Sequence, residues 1–500
     1  MGNSENTNEA QGKIKFTKQI QENIRQIKNE FAKDETLVLR KLENPDVGES
    51  YIVYIDGMVN NRLINQDVIR PFLEFHPEPH ETVTLDVIQD QVMLSNSVER
   101  TSDHDKLIQA IVYGDTLLLI DGIEDALILN TKGWTSRSIS EPENEKVLRG
   151  PREGFTESII TNLSLIRRRI LTSDLKMEFE TFGTRTNTKA CICYLDSIVN
   201  KDVLAELKKR IHMFSIDGAL DSNYINEFIK DSPYSPFKTV GTSEKPDAIA
   251  AKLLEGRVAL LIDGSPSAIT VPYLFTENFQ SDEDYYLNYY FTSINRLLRY
   301  MAFIMAISIP AVYIALTTFH HEMLPLALTM SISKARQGVP FPTAIEMTIM
   351  LVVFEMLRES GARMPGSMGQ ALSIVGALVM GQAAVSAKII SAPMIIIVAT
   401  AGICGVMSPR LKGAIILLRF IFLIMASFFG LYGFMFGALA LMIHLYSISS
   451  FGVPIMNSSY TNTLQDKKDI MVRAPWWFMK KRPKYLSEDP IRQQSTRSNK

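Results

Sequence analysis

Pro340-Phe-Pro-Thr-Ala-Ile-Glu346-Met-Thr-Ile-Met-Leu-Val-Val-Phe-Glu355-Met-Leu-Arg358-Glu359-Ser-Gly361-Ala-Arg-Met-Pro365 is a helix-length apolar run between prolines that carries carboxylates where lipid would forbid them. Before it, once an apolar span at 300–319 is set aside, the chain reads as water-soluble. After it, up to Pro454, the chain reads as membrane. An ionisable group inside a membrane segment costs roughly 2.5–3.5 kcal/mol on insertion scales, so it marks a functional site by default. Glu346 and Glu355 fall about 180° apart around a straight helix, at about 100° per residue. Both cannot face one path unless the helix kinks. Glu355 has Arg358 at i+3 and Glu359 beside it, so its bland assignment is an ion pair near the cytoplasmic end of the helix. Glu346 shares its face with Met350, Val353 and Leu357. That isolation makes it the better candidate for lining a polar path or for binding a polar group on another helix.

Around this stretch the other spans fall at 300–319, 366–386 and 393–407, with 413–446 long enough for two short spans or one long, bent helix. Gly430, Gly433 and Gly437 are the expected bend points, and 323–333 is too short to cross. Gly369, Ser373, Ala377 and Gly381 recur every four residues with Gly376 among them. They form a small-residue face that lets another helix approach closely. Arg296, Arg299, Arg358, Arg363, Arg410 and Lys412 place their loops in the cytoplasm by the positive-inside rule, consistent with an even number of crossings, four to six. Lys334, Arg336 and Lys388 fit that scheme less well. Trp476 and Trp477 stand beside Lys480, Lys481 and Arg482, the chemistry of the headgroup zone, so the tail is expected to rest on the inner leaflet.

The 500 residues allow two to four domains, and a net charge of -2 gives no case for a nucleic-acid partner. Residues 1–32 are polar and without an apolar leader, and are expected to be a mobile tail. Ile20, Ile24 and Ile27 nevertheless keep helical spacing there. Next come apolar runs that end in aspartate: Tyr51-Ile-Val-Tyr-Ile-Asp56-Gly57, Thr116-Leu-Leu-Leu-Ile-Asp121-Gly122, Cys191-Ile-Cys-Tyr-Leu-Asp196 and Val258-Ala-Leu-Leu-Ile-Asp263-Gly264. The second and fourth continue into another apolar run, a hairpin signal. Asp56 and Asp121 are spaced almost as Asp196 and Asp263 are. Matching order and spacing predict a duplication: an α/β subdomain at 33–150 and a second at 151–295. The membrane domain then covers 296–456 and a basic, aromatic tail 457–500. The segment 137–157, dense in Gly, Pro and alternating charge, is either a solvated linker or a charged interface. Arg167, Arg168 and Arg169 read as a solvated basic face.

No phosphate-binding loop, nucleophile elbow or zinc-protease motif occurs, and the Asp-Gly aspartates read as turn formers, so no enzyme is expected and no cofactor. Cys191 and Cys193 share a strand face and read as core. His76 and His80 have metal-like spacing, but Pro77 and Pro79 deny them a helix, and the adjacent His320 and His321 do not share a face. No metal site is expected.

Ser140-Glu141-Pro142, Arg149-Gly150-Pro151-Arg152-Glu153-Gly154-Phe155, the Pro340–Gly361 stretch, Gly369-Gln370-Ala-Leu-Ser-Ile-Val-Gly376-Ala-Leu-Val and Ser391-Ala-Pro-Met together resemble the A subunit of bacterial spore germinant receptors. The resemblance runs from about residue 35 to 485; the family's Leu-Arg-Glu-Ala-Gly reads Leu-Arg-Glu-Ser-Gly here. It implies a multi-pass protein of the spore inner membrane, with the N-terminal domain and C-terminal tail cytoplasmic. It further implies a permease-like B subunit that binds nutrient, a lipoprotein C subunit, and a homo-oligomer, a pentamer, forming or gating a channel for monovalent cations. Glu346, Glu355, Arg358 and Glu359 are then the pore or gating candidates, and Glu141, Arg149, Arg152 and Glu153 the candidates for an inter-subdomain or subunit interface. The alternative is a non-conducting scaffold that relays the nutrient signal to other germination proteins. A carrier would predict inverted repeats in the membrane half, which are not seen.

Overall fold

Tyr51-Ile-Val-Tyr-Ile forms the buried core of strand β2 (Gly48–Ile55), which pairs antiparallel with β1 (Leu37–Asn44) and β4 (Thr116–Ile120). The expected hairpin follows: β4 pairs with β5 (Ala126–Leu129), and β3 (Val98–Thr101) closes the sheet beside β5, in the order β1-β2-β4-β5-β3. The second half repeats this. Strands β6 (Leu175–Phe182), β7 (Thr188–Leu195), β8 (Gly241–Ser243), β9 (Val258–Ile262) and β10 (Ala268–Val271) make a sheet in the order β6-β7-β9-β10-β8, also antiparallel throughout. This is a computed structural model that describes residues 16–77, 84–95, 97–133, 145, 149–363, 376, 379–456, 468–483, 485–487, 489 and 491–492.

The duplication extends to single hydrogen bonds. Each copy opens with a helix, Ile20–Glu30 in the first and Ile159–Arg167 in the second. The Asp121 carboxylate accepts the Ile20 N–H at 3.2 Å, and Asp263 accepts the Ile159 N–H at 3.0 Å. Gly122 N–H donates to the Lys18 carbonyl and Gly264 N–H to that of Glu157. An asparagine within each helix, Asn23 or Asn162, bonds the backbone N–H and C=O of Thr17 or Thr156. A helix leaves its first N–H groups without internal partners, so a carboxylate there is favoured both by the hydrogen bond and by the helix dipole. The Asp-Gly turns therefore bind each sheet to the start of its opening helix. Asn60 and Asn200 cap the helices that follow β2 and β7 in the same way.

Two expectations are corrected here. Residues 16–31 are not part of a mobile tail: Phe16, Ile20, Ile24, Ile27 and Phe31 are buried in the core of the first subdomain, because helical spacing of the isoleucines gives the segment one apolar face. Nor is Arg167 a solvated residue. It is buried, pairs with buried Asp34 of the first subdomain, and donates to the carbonyls of Thr172 and Leu175. Cys191 and Cys193 are packed side by side in the core of the second subdomain.

The chain divides into two units. The first is Met1–Lys230 with Val240–Pro272 and Lys481–Arg492; the second is Asp231–Thr239 with Tyr273–Lys480 and Gln493–Lys500. The expected tail domain 457–500 is thus divided. Leu486 is buried in the first unit, Ser487 bridges Val199, and Leu486 O stands where Gly256 leaves no room for a Cβ.

Among the described residues of the second unit, two helices are long and apolar enough to cross a membrane, Tyr289–Phe319 and Pro409–Ser447, and Ala392–Val406 is a shorter apolar helix. The expected four to six crossings are therefore not established by length and apolarity alone. The later helix is sharply broken at Gly430, whose φ of 59° and ψ of -138° suit glycine alone. Beyond the break the chain folds back along itself. A Cβ on Gly433 would lie 2.1 Å from the Met425 carbonyl oxygen, and one on Gly437 would lie 2.8 Å from the Phe422 ring. The stretch is thus bent at Gly430, one of the expected bend points, into two arms of about 27 Å or less each at 1.5 Å per residue.

The small-residue face lies largely outside the described residues: Gly369, Ser373 and the Ala377 side chain are not among them. Gly376 and Gly381 are, with Leu357 and Ile395 at 3.8 and 3.7 Å from the place a Cβ would take, an ordinary contact distance. The tight approach is elsewhere. Phe354 lies over Gly402 with its ring tip 2.2 Å from the would-be Cβ.

Two outcomes follow from this packing. Arg167→Ala or Asp34→Ala leaves one buried charge alone and should lower stability by about 3–5 kcal/mol in denaturant unfolding of the full chain, whereas Asp34→Leu with Arg167→Met should recover most of the loss. Gly402→Val should cut the amount of protein in the membrane fraction on immunoblots, while Gly376→Ala and Gly381→Ala should leave it near wild type.

Candidate functional site

The helix Thr343–Arg363 carries the candidate carboxylates. It begins after Pro342, whose carbonyl accepts the Glu346 N–H at 3.0 Å, and it buries Met347 and Leu351 beside Met394 and Val398. Glu346 is on the same buried side, 0% exposed. Its Oε1 accepts both the backbone N–H and the hydroxyl of Ser391 at 2.6 Å. Ser391 is the N-cap of the helix Ala392–Val406, so a carboxylate sits on free helix-end N–H, where the dipole favours negative charge. The other oxygen, Oε2, is buried without a hydrogen bond among the described residues. Arg336 Nε is 3.9 Å from it, an ion-pair distance but not a hydrogen bond. The Tyr313 hydroxyl is likewise buried without a partner among the described residues. Glu346 is thus half satisfied.

Glu355 is held differently. The expected i, i+3 pair with Arg358 is present, and the second oxygen pairs with Arg419 Nη1 at 3.2 Å. Arg419 is buried, and its other nitrogens donate to the carbonyls of Ala306 at 2.9 Å and Ala401 at 3.1 Å. One guanidinium therefore joins the helices Tyr289–Ile314, Thr343–Arg363, Ala392–Val406 and Lys412–Ser447. Sequence reasoning did not single out Arg419, although it is the lone arginine or lysine between Gly413 and Tyr446. Glu359 is exposed and pairs with Arg363 and Lys412 at 2.9 and 3.5 Å. An open pocket of about 590 Å³ runs past Glu355, Arg358, Glu359 and Lys412. The structure thus groups Glu355, Arg358 and Glu359 and sets Glu346 apart on Ser391.

A second buried charge cluster was also missed. Arg296, expected only as a flanking positive charge, is buried, with Nε 2.7 Å from Asp284 and Nη1 2.6 Å from Asp469; Arg299 reaches Asp284 at 3.0 Å. Apolarity shows where a span starts but not a partner 173 residues away in sequence.

In the first unit, the interface candidates separate. Glu153 pairs with Arg169 at 2.5 Å, Arg149 and Arg152 are exposed, and Glu141 lies outside the described residues. His76 bonds Asp46 at 2.9 Å, and His80 lies outside the described residues.

The family model described as Bacillus/Clostridium GerA spore germination protein matches residues 25–485. The uncharacterized membrane protein YfkQ of Bacillus subtilis (strain 168) is 43% identical over 435 residues, 87% of this chain and 84% of its own. Spore germination protein KA of the same organism is 40% identical over 479 residues, 95% of this chain and 88% of its own. The crystal structure of the N-terminal domain of the A subunit of the Bacillus megaterium spore germinant receptor GerK3 aligns with a TM-score of 0.39 and 28% identity, covering 52% of this chain and 98% of that one. The chain belongs to the GerA family of spore germination proteins, the A subunits of germinant receptors.

Proposed function

We propose that this A subunit oligomerises as a pentamer in the spore inner membrane and forms or gates a path for monovalent cations. The path opens when a permease-like B subunit binds nutrient, with a lipoprotein C subunit completing the receptor. The observation that carries this reading is the Glu346 carboxylate: fully buried in a largely apolar helix, with Oε1 bonded to Ser391 and Oε2 without a hydrogen bond among the described residues, only an ion-pair approach from Arg336 at 3.9 Å. A buried charge left half satisfied is costly, and such groups concentrate where ions or protons are handled. The Glu355–Arg419 arrangement, by contrast, suits a structural role, because every helix it touches is held by a charge-assisted bond. That second arrangement favours the alternative, a scaffold that relays the nutrient signal without conducting.

Glu346→Gln separates the two readings. The amide oxygen keeps the acceptor for Ser391, and the charge is lost. Potassium release from spores carrying the variant should shift several-fold in rate or in nutrient threshold with receptor levels unchanged; release identical to wild type would remove Glu346 from the path. Arg419→Leu should instead lower the level of assembled protein, read on immunoblots of the inner-membrane fraction.

A further inference from the structure

The segment 468–480 returns to the start of the Tyr289–Ile314 helix and is fixed there by polar contacts. Asp469 pairs with Arg296 and accepts the Tyr285 hydroxyl at 2.7 Å; Gln280 donates to the Asp469 carbonyl at 2.7 Å. Arg473 N–H donates to the Ser293 hydroxyl at 3.1 Å, and its guanidinium donates to the Leu287 carbonyl at 3.2 Å. That guanidinium also lies 5.7 Å from the Tyr285 ring and 5.6 Å from the Trp476 ring.

These bonds hold the short helical turn Trp476–Phe478 with its apolar surface outward: Trp476, Trp477 and Phe478 are 41%, 52% and 53% exposed. Trp477 stands edge-on to Tyr289, and the neighbouring Tyr290 and Phe291 are exposed as well. The exposed band does not stop at these rings. It continues along the same helix through Ile294, Leu297, Met301 and Ile304, into the stretch long and apolar enough to cross a membrane. A rigid aromatic cluster at the mouth of such a helix is the arrangement that places Trp and Tyr at headgroup level. Lys480, exposed just beyond Phe478, has the charge that lipid phosphates attract.

We propose that Trp476, Trp477 and Phe478 lie in the headgroup zone of the bilayer crossed by the Tyr289–Phe319 helix and set the depth at which that helix sits. The occupant of this surface is lipid, because the band is continuous with the lipid-facing side of the helix itself. The inference rests on the reading that the chain spans a membrane.

The test uses the full chain in phosphatidylcholine–phosphatidylglycerol vesicles whose lipids carry a nitroxide quencher either near the headgroup or near the chain end. The signal of the pair is the difference between wild type and Trp476→Phe/Trp477→Phe, which keeps the aromatic packing. That signal should be quenched about twofold or more better by the shallow label than by the deep one. A chain that floats with the vesicles but whose pair is quenched by neither label, or more by the deep one, overturns the proposal and assigns the surface to protein or to the bilayer interior. A chain that does not float with the vesicles overturns the membrane reading itself and this proposal with it.

Discussion

A charged guanidinium inside apolar helices has to find partners within the protein, and this requirement organises the helices of the second unit. Arg419 meets it with one carboxylate and two helix carbonyls drawn from three other helices. Each bond is short-range and directional, so the four helices can satisfy it only in one relative register. Whether such a knot adds net stability is a separate matter, since desolvating two charges offsets much of their attraction. Its clearer consequence is specificity. Apolar side chains tolerate sliding, whereas a buried arginine with three named partners does not.

The same logic separates the two carboxylates of the Thr343–Arg363 helix. Glu355 has both oxygens in ion pairs, one with its near neighbour Arg358 and one with Arg419. Glu346 has one oxygen on the N-terminus of the following helix and one that meets no hydrogen-bond donor among the described residues, with Arg336 at ion-pair distance only. The first is a fixed joint. The second is a charge with spare capacity at the boundary between two helices, which is why the proposed ion path is drawn through Glu346.

Much of this was legible in the sequence. The apolar-run-Asp grammar, repeated in order and spacing, predicted two copies of one subdomain, and the copies share strand order and helix-capping bonds. The Glu355–Arg358 pair and the break near Gly430 were also readable, because both are set by local spacing. What was not legible depends on distant partners. Arg167 looked like part of a solvated basic run until Asp34 was placed against it, and Arg296 looked like a flank until Asp284 and Asp469 closed over it. The isoleucines at 20, 24 and 27 carried a helical signal that the polar composition around them outweighed. The tight glycine is Gly402 because Phe354 happens to cross it, which no repeat within one helix encodes.

The central claim is that this chain conducts or gates ions when its partner binds nutrient. It is tested most directly by rubidium flux from sealed proteoliposomes holding this chain together with the proposed B and C subunits. The account predicts flux that begins on addition of nutrient and is absent when this chain is omitted. Vesicles in which the assembled complex binds nutrient but passes no cation would contradict it and leave the scaffold reading in its place.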